Sequence, residues 1–155
     1  VFAGSFDPVT KGHEQIVQAA LKKYEKVIVA LGVNEQKTCT FTRSERLDML
    51  IIAFSNVAGV SVTEFDGLLV DFLRQNRVIN NVRGIRNDAD FAYEQDMYEY
   101  NKKLMPEIKN DYIKGDFANI SSTAARAALE NGEGAEEYLS ERVLPVAKKY
   151  FLAKK

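Results

Sequence analysis

The sequence of 155 residues has one cysteine, one histidine and no tryptophan. A single cysteine, Cys39, cannot form an internal disulfide bond, which is typical of proteins from a reducing compartment. One histidine and one cysteine also cannot provide the nitrogen and sulfur ligands of a structural zinc site. These scarcities exclude a disulfide-stabilised scaffold and a zinc-centred fold.

Long hydrophobic runs and an excess of one charge are missing as well. No stretch approaches the ~18 apolar residues that suggest a membrane span, and no basic-then-apolar leader is present. The formal net charge is −1, from 21 basic and 22 acidic residues, whereas general nucleic-acid-binding domains usually have a basic excess. We therefore expect a cytoplasmic protein that binds neither membranes nor nucleic acids. Because the chain starts without methionine and inside a predicted strand, we also expect a few residues to precede Val1.

Apolar segments of strand type alternate with segments of helical periodicity. Strands are predicted at 1–3, 27–31, 59–64, 78–82 and 108–113, and helices at 12–24, 42–54, 68–75, 89–104, 120–131, 136–143 and 145–152. Lys109, Asn110 and Asp111 interrupt the apolar pattern of the last strand, and Pro145 is placed at a helix start. This order predicts an α/β fold with a doubly wound five-stranded parallel sheet. We expect one domain across residues 1–155.

Four polar clusters each follow a predicted strand: 4–13, Lys37, 83–86 and 120–123. Ligands of doubly wound sheets bind outside the carboxyl ends of the strands. We therefore expect the four clusters to meet at one edge of the sheet, where they would form a single site.

The first cluster joins a strand to a helix through a loop that contains glycine, serine and proline. Such a loop lets backbone N–H groups approach an anion, and the helix N-terminus adds a partial positive charge. The loop matches neither GxGxxG nor GxxxxGK[ST], so the usual dinucleotide and P-loop motifs are excluded. His13 lies at the helix start, where it suits a hydrogen bond to a phosphate oxygen better than an inert surface or core role. Covalent catalysis by Ser5, His13 and Asp7 is disfavoured, because the positive N-terminus of a helix opposes a histidine that must accept a proton as a strong base.

The other clusters leave alternatives open. Lys37 is a phosphate ligand or a solvated loop charge. Arg83 and Arg86 suit a polyphosphate or two separate phosphates, or they form ion pairs with Asp88, Asp90 or Glu94. Residues 120–123 form an ordinary helix cap or a phosphate cradle.

An aromatic stripe marks the helix predicted at 89–104. Such a stripe is more often used for packing or for a subunit contact than for nucleotide stacking. Its members are Phe91, Tyr93, Met97, Tyr98 and Tyr100.

Several motifs together resemble one family. Thr10-Lys-Gly-His13 resembles the [HT]xGH signature of the nucleotidyltransferase superfamily. RGIRNDADFAYE at 83–94, ISST at 120–123, Lys37 before FTRSER, and LMPE at 104–107 resemble the bacterial pantetheine-phosphate adenylyltransferases in order and spacing. The match spans nearly the whole chain. Asn110, Asp111, Lys114 and Gly115 replace a more apolar strand end in that family, beside its adenine site.

The resemblance implies reversible transfer of the adenylyl group of ATP to 4′-phosphopantetheine. The products are dephospho-coenzyme A and pyrophosphate, and the reaction belongs to coenzyme A biosynthesis. It implies in-line attack without a covalent intermediate, Mg²⁺ held through the ATP phosphates, coenzyme A as a feedback inhibitor, and a homohexamer with a Rossmann-like nucleotidyltransferase fold.

The resemblance also implies roles for individual residues. His13, Lys37 and Arg86 would be catalytic, with His13 on the α-phosphate and Lys37 on the attacking phosphate. The ATP-binding residues would be Ser5, Phe6, His13, Gly84, Ile85, Arg86, Glu94, Phe117, Ala118, Asn119, Ile120, Ser121, Ser122 and Thr123. The residues that bind 4′-phosphopantetheine would be Ser5, Lys37, Leu69 and Arg83.

Two other functions compete with this one. Another adenylyl- or cytidylyltransferase, such as a nicotinate-nucleotide enzyme, would share the first and last motifs, but Thr10 and the RGIRN block argue against it. A non-catalytic coenzyme A or nucleotide sensor is disfavoured because both His13 and Lys37 are present.

Overall fold

The computed structural model describes residues 1–115 and 119–155, so Phe117 and Ala118 of the predicted site lie outside the described residues. The predicted α/β class is confirmed. The strands are β1 (Phe2–Gly4), β2 (Val27–Val33), β3 (Val60–Asp66), β4 (Asn80–Ile85) and β5 (Lys109–Lys114). The helices are α1 (Lys11–Leu21), α2 (Arg43–Phe54), α3 (Leu69–Gln75), α4 (Asp88–Leu104), α5 (Ser122–Asn131) and α6 (Val143–Leu152).

The five strands form two parallel sheets, β1–β2–β3 and β4–β5, and not the one sheet that we predicted. Two backbone hydrogen bonds at Val1 connect them: the Val1 nitrogen donates to Asn80 O (2.9 Å), and Val82 N donates to Val1 O (2.8 Å). The next carbonyl in line, Ala3 O, accepts from the Arg83 guanidinium (2.7 Å). The Arg83 side chain thus binds the carbonyl that would accept from the backbone of β4 if the ladder between β1 and β4 were longer.

Strand β2 separates two hydrophobic clusters, as its continuous apolar run predicts. Val29 and Leu31 are fully buried on the side of α1, α2, α5 and α6, whereas Ala30 is buried on the side of α3. Each fully buried Val or Leu side chain contributes roughly 1.5–3 kcal/mol relative to an exposed one. The two-sided core fixes the carboxyl ends of β1 and β2, from which the first loop and the Lys37 segment emerge.

Strand β5 forms although polar residues interrupt its apolar pattern. Asn110 Oδ1 accepts from Asn81 Nδ2 (3.1 Å) on the neighbouring strand. Asp111 accepts from the Tyr24 hydroxyl (3.0 Å) and from Lys23 Nζ (3.0 Å) at the end of α1. These tertiary partners satisfy the polar side chains, so the strand does not depend on apolar alternation.

The helix ends show both agreement and error in the predictions. The capping box at the start of α2 is confirmed, since Glu45 N donates to Thr42 Oγ1 (3.2 Å) and Thr42 N donates to Glu45 Oε1 (2.9 Å). Gly132 ends α5 in a left-handed conformation with φ of 79°. The predicted helix 136–143 is wrong, because a single 3₁₀ turn covers only Ala135–Glu137.

Helix α6 starts at Val143 and not at Pro145 as predicted. Pro145 lies in the first turn, where backbone N–H groups have no intrahelical acceptor and a residue without an N–H is tolerated.

Candidate active site

A cavity of about 820 Å³ lies beside the carboxyl ends of β1 and β4 and the starts of α1 and α5. Residues from all four polar clusters line it, as expected for a parallel α/β fold. The predicted site residues in its wall are Ser5, Phe6, His13, Lys37, Arg83, Gly84, Arg86, Glu94, Ile120, Ser121, Ser122 and Thr123. The structure therefore brings together segments that are more than 100 residues apart in the sequence.

The tautomer of His13 follows from its contacts in the first turn of α1. Thr10 N donates to His13 Nδ1 (2.9 Å), which closes a capping box with Thr10 as the N-cap residue. A backbone N–H can only donate, so Nδ1 is unprotonated and the neutral imidazole has its proton on Nε2. His13 can therefore offer an Nε2–H donor to an anion.

Two aromatic rings and two cations surround the His13 imidazole. The Phe6 ring meets it edge to face with 4.8 Å between the ring centroids, and Phe2 lies 6.0 Å away. Burial, followed by the positive charges of Arg83 and Arg86, lowers the pKa of His13 from 6.5 to about 4. His13 is therefore neutral near pH 7 and acts there as a hydrogen-bond donor rather than as a cation.

The loop between β1 and α1 is shaped by Phe6. Its backbone has a φ of +46°, in the left-handed region that costs strain for a residue with a side chain, and its ring is buried. A Cβ at Gly4 would lie 3.3 Å from this ring. Glycine at position 4 thus leaves room for the ring that packs against His13.

Lys37 lies on the exposed segment after β2 and reaches back to the first loop. Its Nζ donates to Ser5 Oγ (3.0 Å). Among residues 1–115 and 119–155, it is the one cation of the cavity wall without a carboxylate within 4.0 Å. Within that part of the chain, its charge is therefore the least neutralised of the cavity wall.

Arg83 and Arg86 form the ion pairs that the sequence left open as an alternative. Arg83 donates to both carboxylate oxygens of Glu94 (2.9 and 3.0 Å), and Arg86 Nε donates to Asp90 Oδ2 (3.0 Å). Both pairs still lie in the cavity wall. The Glu94 carboxylate is buried and faces Arg83. Its contact is therefore with Arg83, although the resemblance places Glu94 among the ATP-binding residues.

The start of α5 uses its hydroxyls for internal contacts. Ser121 Oγ accepts from Ala124 N (3.0 Å) as the N-cap, and Ser122 Oγ donates to Pro8 O (2.8 Å) on the first loop. Backbone N–H groups in the first turn of a helix have no intrahelical acceptor. Those of Ser122 and Thr123 are consequently suited to an anion in the cavity.

Arg126 is a cation of the cavity wall that the sequence analysis missed. Its Nη1 donates to Asp7 O (2.8 Å) and lies 3.6 Å from Asp7 Oδ2, while its Nη2 donates to Thr123 Oγ1 (3.3 Å). The available signal was its spacing, because a residue three positions after Thr123 lies on the same face of a helix.

Of the predicted residues that the structure describes, three do not line the cavity. Ile85 is buried, Asn119 is exposed, and Leu69 packs at the start of α3 against the cluster on that side of β2.

The aromatic stripe on α4 is mostly exposed in this chain. The exposed fractions are 41% for Phe91, 63% for Tyr93, 39% for Met97 and 52% for Tyr100. Among the described residues, Tyr98 packs against a hydrophobic cluster and the Phe91 ring meets the Tyr112 ring edge to face (5.6 Å between centroids), so internal packing does not explain Tyr93, Met97 and Tyr100. Tyr93 also forms part of the cavity wall.

Within the described ranges, no group of three or more His, Cys, Asp or Glu side chains could hold a metal ion. In the same part of the chain, no helix is both long and apolar enough to cross a membrane.

Comparisons with known proteins show the family of this chain. A family model described as cytidylyltransferase-like matches residues 1–128. A phosphopantetheine adenylyltransferase from Heliobacterium modesticaldum is 40% identical over 153 residues, which are 97% of this chain and 91% of that protein. Another from Dictyoglomus turgidum is 43% identical over 134 residues, which are 85% of this chain and 84% of that one.

Among solved structures, a bifunctional NMN adenylyltransferase/ADP ribose pyrophosphatase from Francisella tularensis, complexed with AMP and a manganese ion, has a TM-score of 0.65. The match has 22% sequence identity and covers 96% of this chain but only 47% of that one. This chain thus spans about half of the bifunctional protein, and at this identity the likeness shows the fold alone: a Rossmann-like nucleotidyltransferase fold.

Proposed function

The chain belongs to the phosphopantetheine adenylyltransferase family of cytidylyltransferase-like proteins, and we propose that it transfers the adenylyl group of ATP to 4′-phosphopantetheine. The products are dephospho-coenzyme A and pyrophosphate, in coenzyme A biosynthesis, and residues 1–155 act as one catalytic domain. The observation that carries the proposal is the neutral His13, whose Nε2–H serves the cavity in which Lys37 and the start of α5 also lie.

The mechanism that we propose needs no general base. The attacking group is a phosphate oxygen, which is already anionic near pH 7. It attacks the α-phosphorus of ATP in line, the P–O bond to the β-phosphate breaks, and pyrophosphate leaves with that electron pair. Positioning two anions and stabilising charge on the α-phosphate are then the tasks of the protein.

His13 would donate from Nε2 to an α-phosphate oxygen. Its proton position is set by the Thr10 contact before the substrate arrives, so no reorganisation accompanies the charge that develops in the transition state. The ring is neutral at pH 7. Its contribution therefore comes from the fixed direction of the Nε2–H and not from a full positive charge.

Lys37 and Ser5 would bind the attacking phosphate of 4′-phosphopantetheine. Lys37 has no neutralising carboxylate among the described residues, and its present partner, Ser5 Oγ, is a neutral group that a phosphate oxygen can replace. Leu69 stays a proposed contact of the pantetheine arm, outside the cavity.

The β- and γ-phosphates would lie at the start of α5 and against Arg126. The N–H groups of Ser122 and Thr123 supply donors there, and the helix end adds a partial positive charge. Asn119, Ile120 and Ser121 belong to the same proposed ATP segment, with Phe117 and Ala118.

Arg86 and Arg83 would contribute in different ways. Asp90 accepts from the backbone nitrogen of Arg86 and, within the guanidinium, from Nε. Among the described residues, the Nη groups are thus left for a phosphate. Arg83 already donates to Glu94 and to Ala3 O, so we assign it mainly a fixed charge near the attacking phosphate. Glu94 would hold Arg83, and Gly84 would shape the ATP side of the cavity. Ile85 stays a proposed residue of the ATP site, buried outside the cavity wall.

A divalent metal is general among nucleotidyltransferases, and we propose Mg²⁺. Among residues 1–115 and 119–155, each carboxylate of the cavity wall, from Asp7, Asp90 and Glu94, lies within 4.0 Å of an arginine. This donor set does not fit a metal held by the protein, so the ion would arrive bound to the ATP phosphates. No step above depends on it.

A homohexamer and inhibition by coenzyme A also remain proposals. The exposed apolar side chains of α4, including Tyr100 and Leu104, support a subunit contact, because contiguous apolar surface of this kind often marks an interface. Coenzyme A contains the product skeleton and would compete for the same cavity. A cytoplasmic location remains a proposal as well.

The test is pyrophosphate release from ATP with alternative acceptors. We expect release with 4′-phosphopantetheine and none with nicotinate mononucleotide or without an acceptor. Equal turnover with nicotinate mononucleotide would contradict the assigned substrate. Tight binding of ATP and coenzyme A without turnover would identify a sensor instead.

A further inference from the structure

The two groups assigned to the attacking phosphate, Ser5 and Lys37, come from separate segments. Ser5 lies on the loop between β1 and α1. Lys37 lies on residues 34–41, the Lys37 loop, which connects β2 to α2. Most side chains of residues 35–40 are exposed, so the core does not position this loop. Two buried charged residues, Asp7 and Arg46, lie where the loop meets the first segment.

Asp7 joins the two segments by accepting hydrogen bonds. Its Oδ2 accepts from Thr40 N and its Oδ1 from Phe41 N, both at 2.9 Å. The side chain is buried, with only 8% of the residue exposed. One carboxylate on the first loop therefore satisfies two consecutive backbone donors of the Lys37 loop, three and four residues after Lys37.

Arg46 joins the same two segments by donating hydrogen bonds. Its Nε donates to Phe41 O (3.1 Å) and its Nη1 to Ser5 O (3.0 Å). The residue is 7% exposed. Phe41 is thus held at its N–H by Asp7 and at its carbonyl by Arg46, while Arg46 also holds the backbone of Ser5.

We propose that Asp7 and Arg46 are positioning residues that together set the distance between Lys37 and Ser5. The four hydrogen bonds above form a clasp between the segments that carry these two groups. The clasp acts on the acceptor side of the reaction, through Lys37, and it leaves the His13 contact with Thr10 intact. This inference rests on the proposed function, because it concerns the binding of the attacking phosphate.

The variant Asp7→Asn tests the accepting half of the clasp. An asparagine side chain has one acceptor oxygen where aspartate has two, so its NH₂ group would face one of the two backbone donors. A misplacement of about 1 Å can lower a rate about 100-fold, and we expect a loss of that order in kcat. Asp7→Asn also removes the carboxylate that lies 3.6 Å from Arg126 Nη1, but Arg126 keeps its hydrogen bond to the backbone carbonyl of Asp7. The Kd for ATP, measured without an acceptor, should therefore change less than about 3-fold.

The variant Arg46→Lys tests the donating half while keeping the charge. A lysine cannot donate to two separate carbonyl groups in the fixed fork of a guanidinium. We expect the same loss of kcat as in Asp7→Asn. Full activity in Arg46→Lys would show that only the charge matters, and it would overturn the clasp.

A double variant separates positioning from general loss of structure. In a Lys37→Ala background, the group that the clasp positions is gone. Asp7→Asn should then lower the residual kcat by less than about 3-fold, because coupled residues are not additive. A further loss of about 100-fold in that background, like the loss that a 1 Å misplacement causes elsewhere, would overturn the proposal.

The matched control is Asp48→Asn, which removes a carboxylate that accepts from the Tyr150 hydroxyl outside the cavity wall. It should lower the thermal midpoint without lowering kcat, and an equal fall of kcat in this control would also contradict the clasp. If the wild-type protein itself shows no turnover with 4′-phosphopantetheine, the proposed function fails. If the wild type turns over and the variants fail these expectations, only the clasp fails.

Discussion

Two helices begin at the same cavity, yet they offer an anion different donors. At the start of α1, the side chain of His13 takes the backbone N–H of Thr10 and presents its own Nε2–H. At the start of α5, Ser121 caps the helix and Ser122 binds Pro8 O. Helix α5 therefore offers an anion the backbone N–H groups of its first turn. The first site is one side-chain donor that a backbone N–H orients, and the second is a cradle of backbone donors.

This difference matches the two kinds of charge in the proposed reaction. Charge that develops on the α-phosphate in the transition state favours one preorganised donor. The β- and γ-phosphates are charged before and after the step, so a cradle that binds them equally in both states affects binding more than rate. We therefore expect changes at α1 to affect kcat and changes at α5 to affect the KM for ATP.

The largest expected effect is at His13. His13→Asn keeps an acceptor near the position of Nδ1 for Thr10 N but has no donor at Nε2. We expect kcat to fall about 10²–10³-fold, as for the loss of one oxyanion donor, with the Kd for ATP little changed. His13→Ala should lose as much rate and also the cap.

His13→Gln is the complementary variant, since its amide can reach the position of Nε2 but loses the contact at Nδ1. It should retain more activity than His13→Asn. Steady-state kinetics and thermal melting of the three variants check this order, and wild-type turnover in His13→Asn would remove His13 from the mechanism.

The next effect concerns pH. The pKa of His13 is lowered from 6.5 to about 4 in the folded chain, so between these values the unfolded chain binds a proton that the folded chain does not. The free energy of unfolding should therefore fall as the pH drops from about 6.5 towards 4, by at most about 3 kcal/mol from this group. Measuring the free energy of unfolding against pH for the wild type and for His13→Asn isolates the contribution of His13.

Because His13 is the only histidine, its ring protons can be followed directly by NMR. We expect a single titration with a midpoint near pH 4. A midpoint near 6.5 would mean that the imidazole is not enclosed by Phe6 and the arginines, and the contrast between the two helix starts would weaken.

The smallest of these effects is at α5. Arg126→Gln removes a guanidinium beside Thr123, and the loss of one charge-assisted hydrogen bond should raise the KM for ATP about 10-fold. The kcat at saturating ATP should change little. Arg142→Gln, at an arginine outside the cavity wall, is the matched control. A fall in kcat with an unchanged KM would contradict the division of roles.

The sequence predicted the order of strands and helices because each segment follows a local rule. The apolar run of β2, the capping box of α2 and the glycine after α5 all act within a few residues. The prediction of a helix at 136–143 was wrong, because the structure has one 3₁₀ turn there. The conformation of so short a segment depends on what it packs against.

The candidate site was predictable as a set of segments but not as a set of contacts. The parallel topology placed the four clusters at one edge, which their positions after strands had indicated. Arg126, Asp7 and Arg46 were missed as site residues because their partners, such as Asp7 O, Phe41 N and Ser5 O, lie 34 to 119 residues away. No local pattern records such pairs.

The sequence by itself determined that His13 stands at the start of a helix after a glycine-containing loop, because a helix start depends on neighbouring residues. Only the tertiary structure decided its chemistry. Phe2 and Phe6 enclose the ring, Arg83 and Arg86 lower its pKa from a distant strand end, and a backbone N–H decides which nitrogen carries the proton. The physical reason is that desolvation and Coulomb interactions depend on distance in space, which the chain order does not contain.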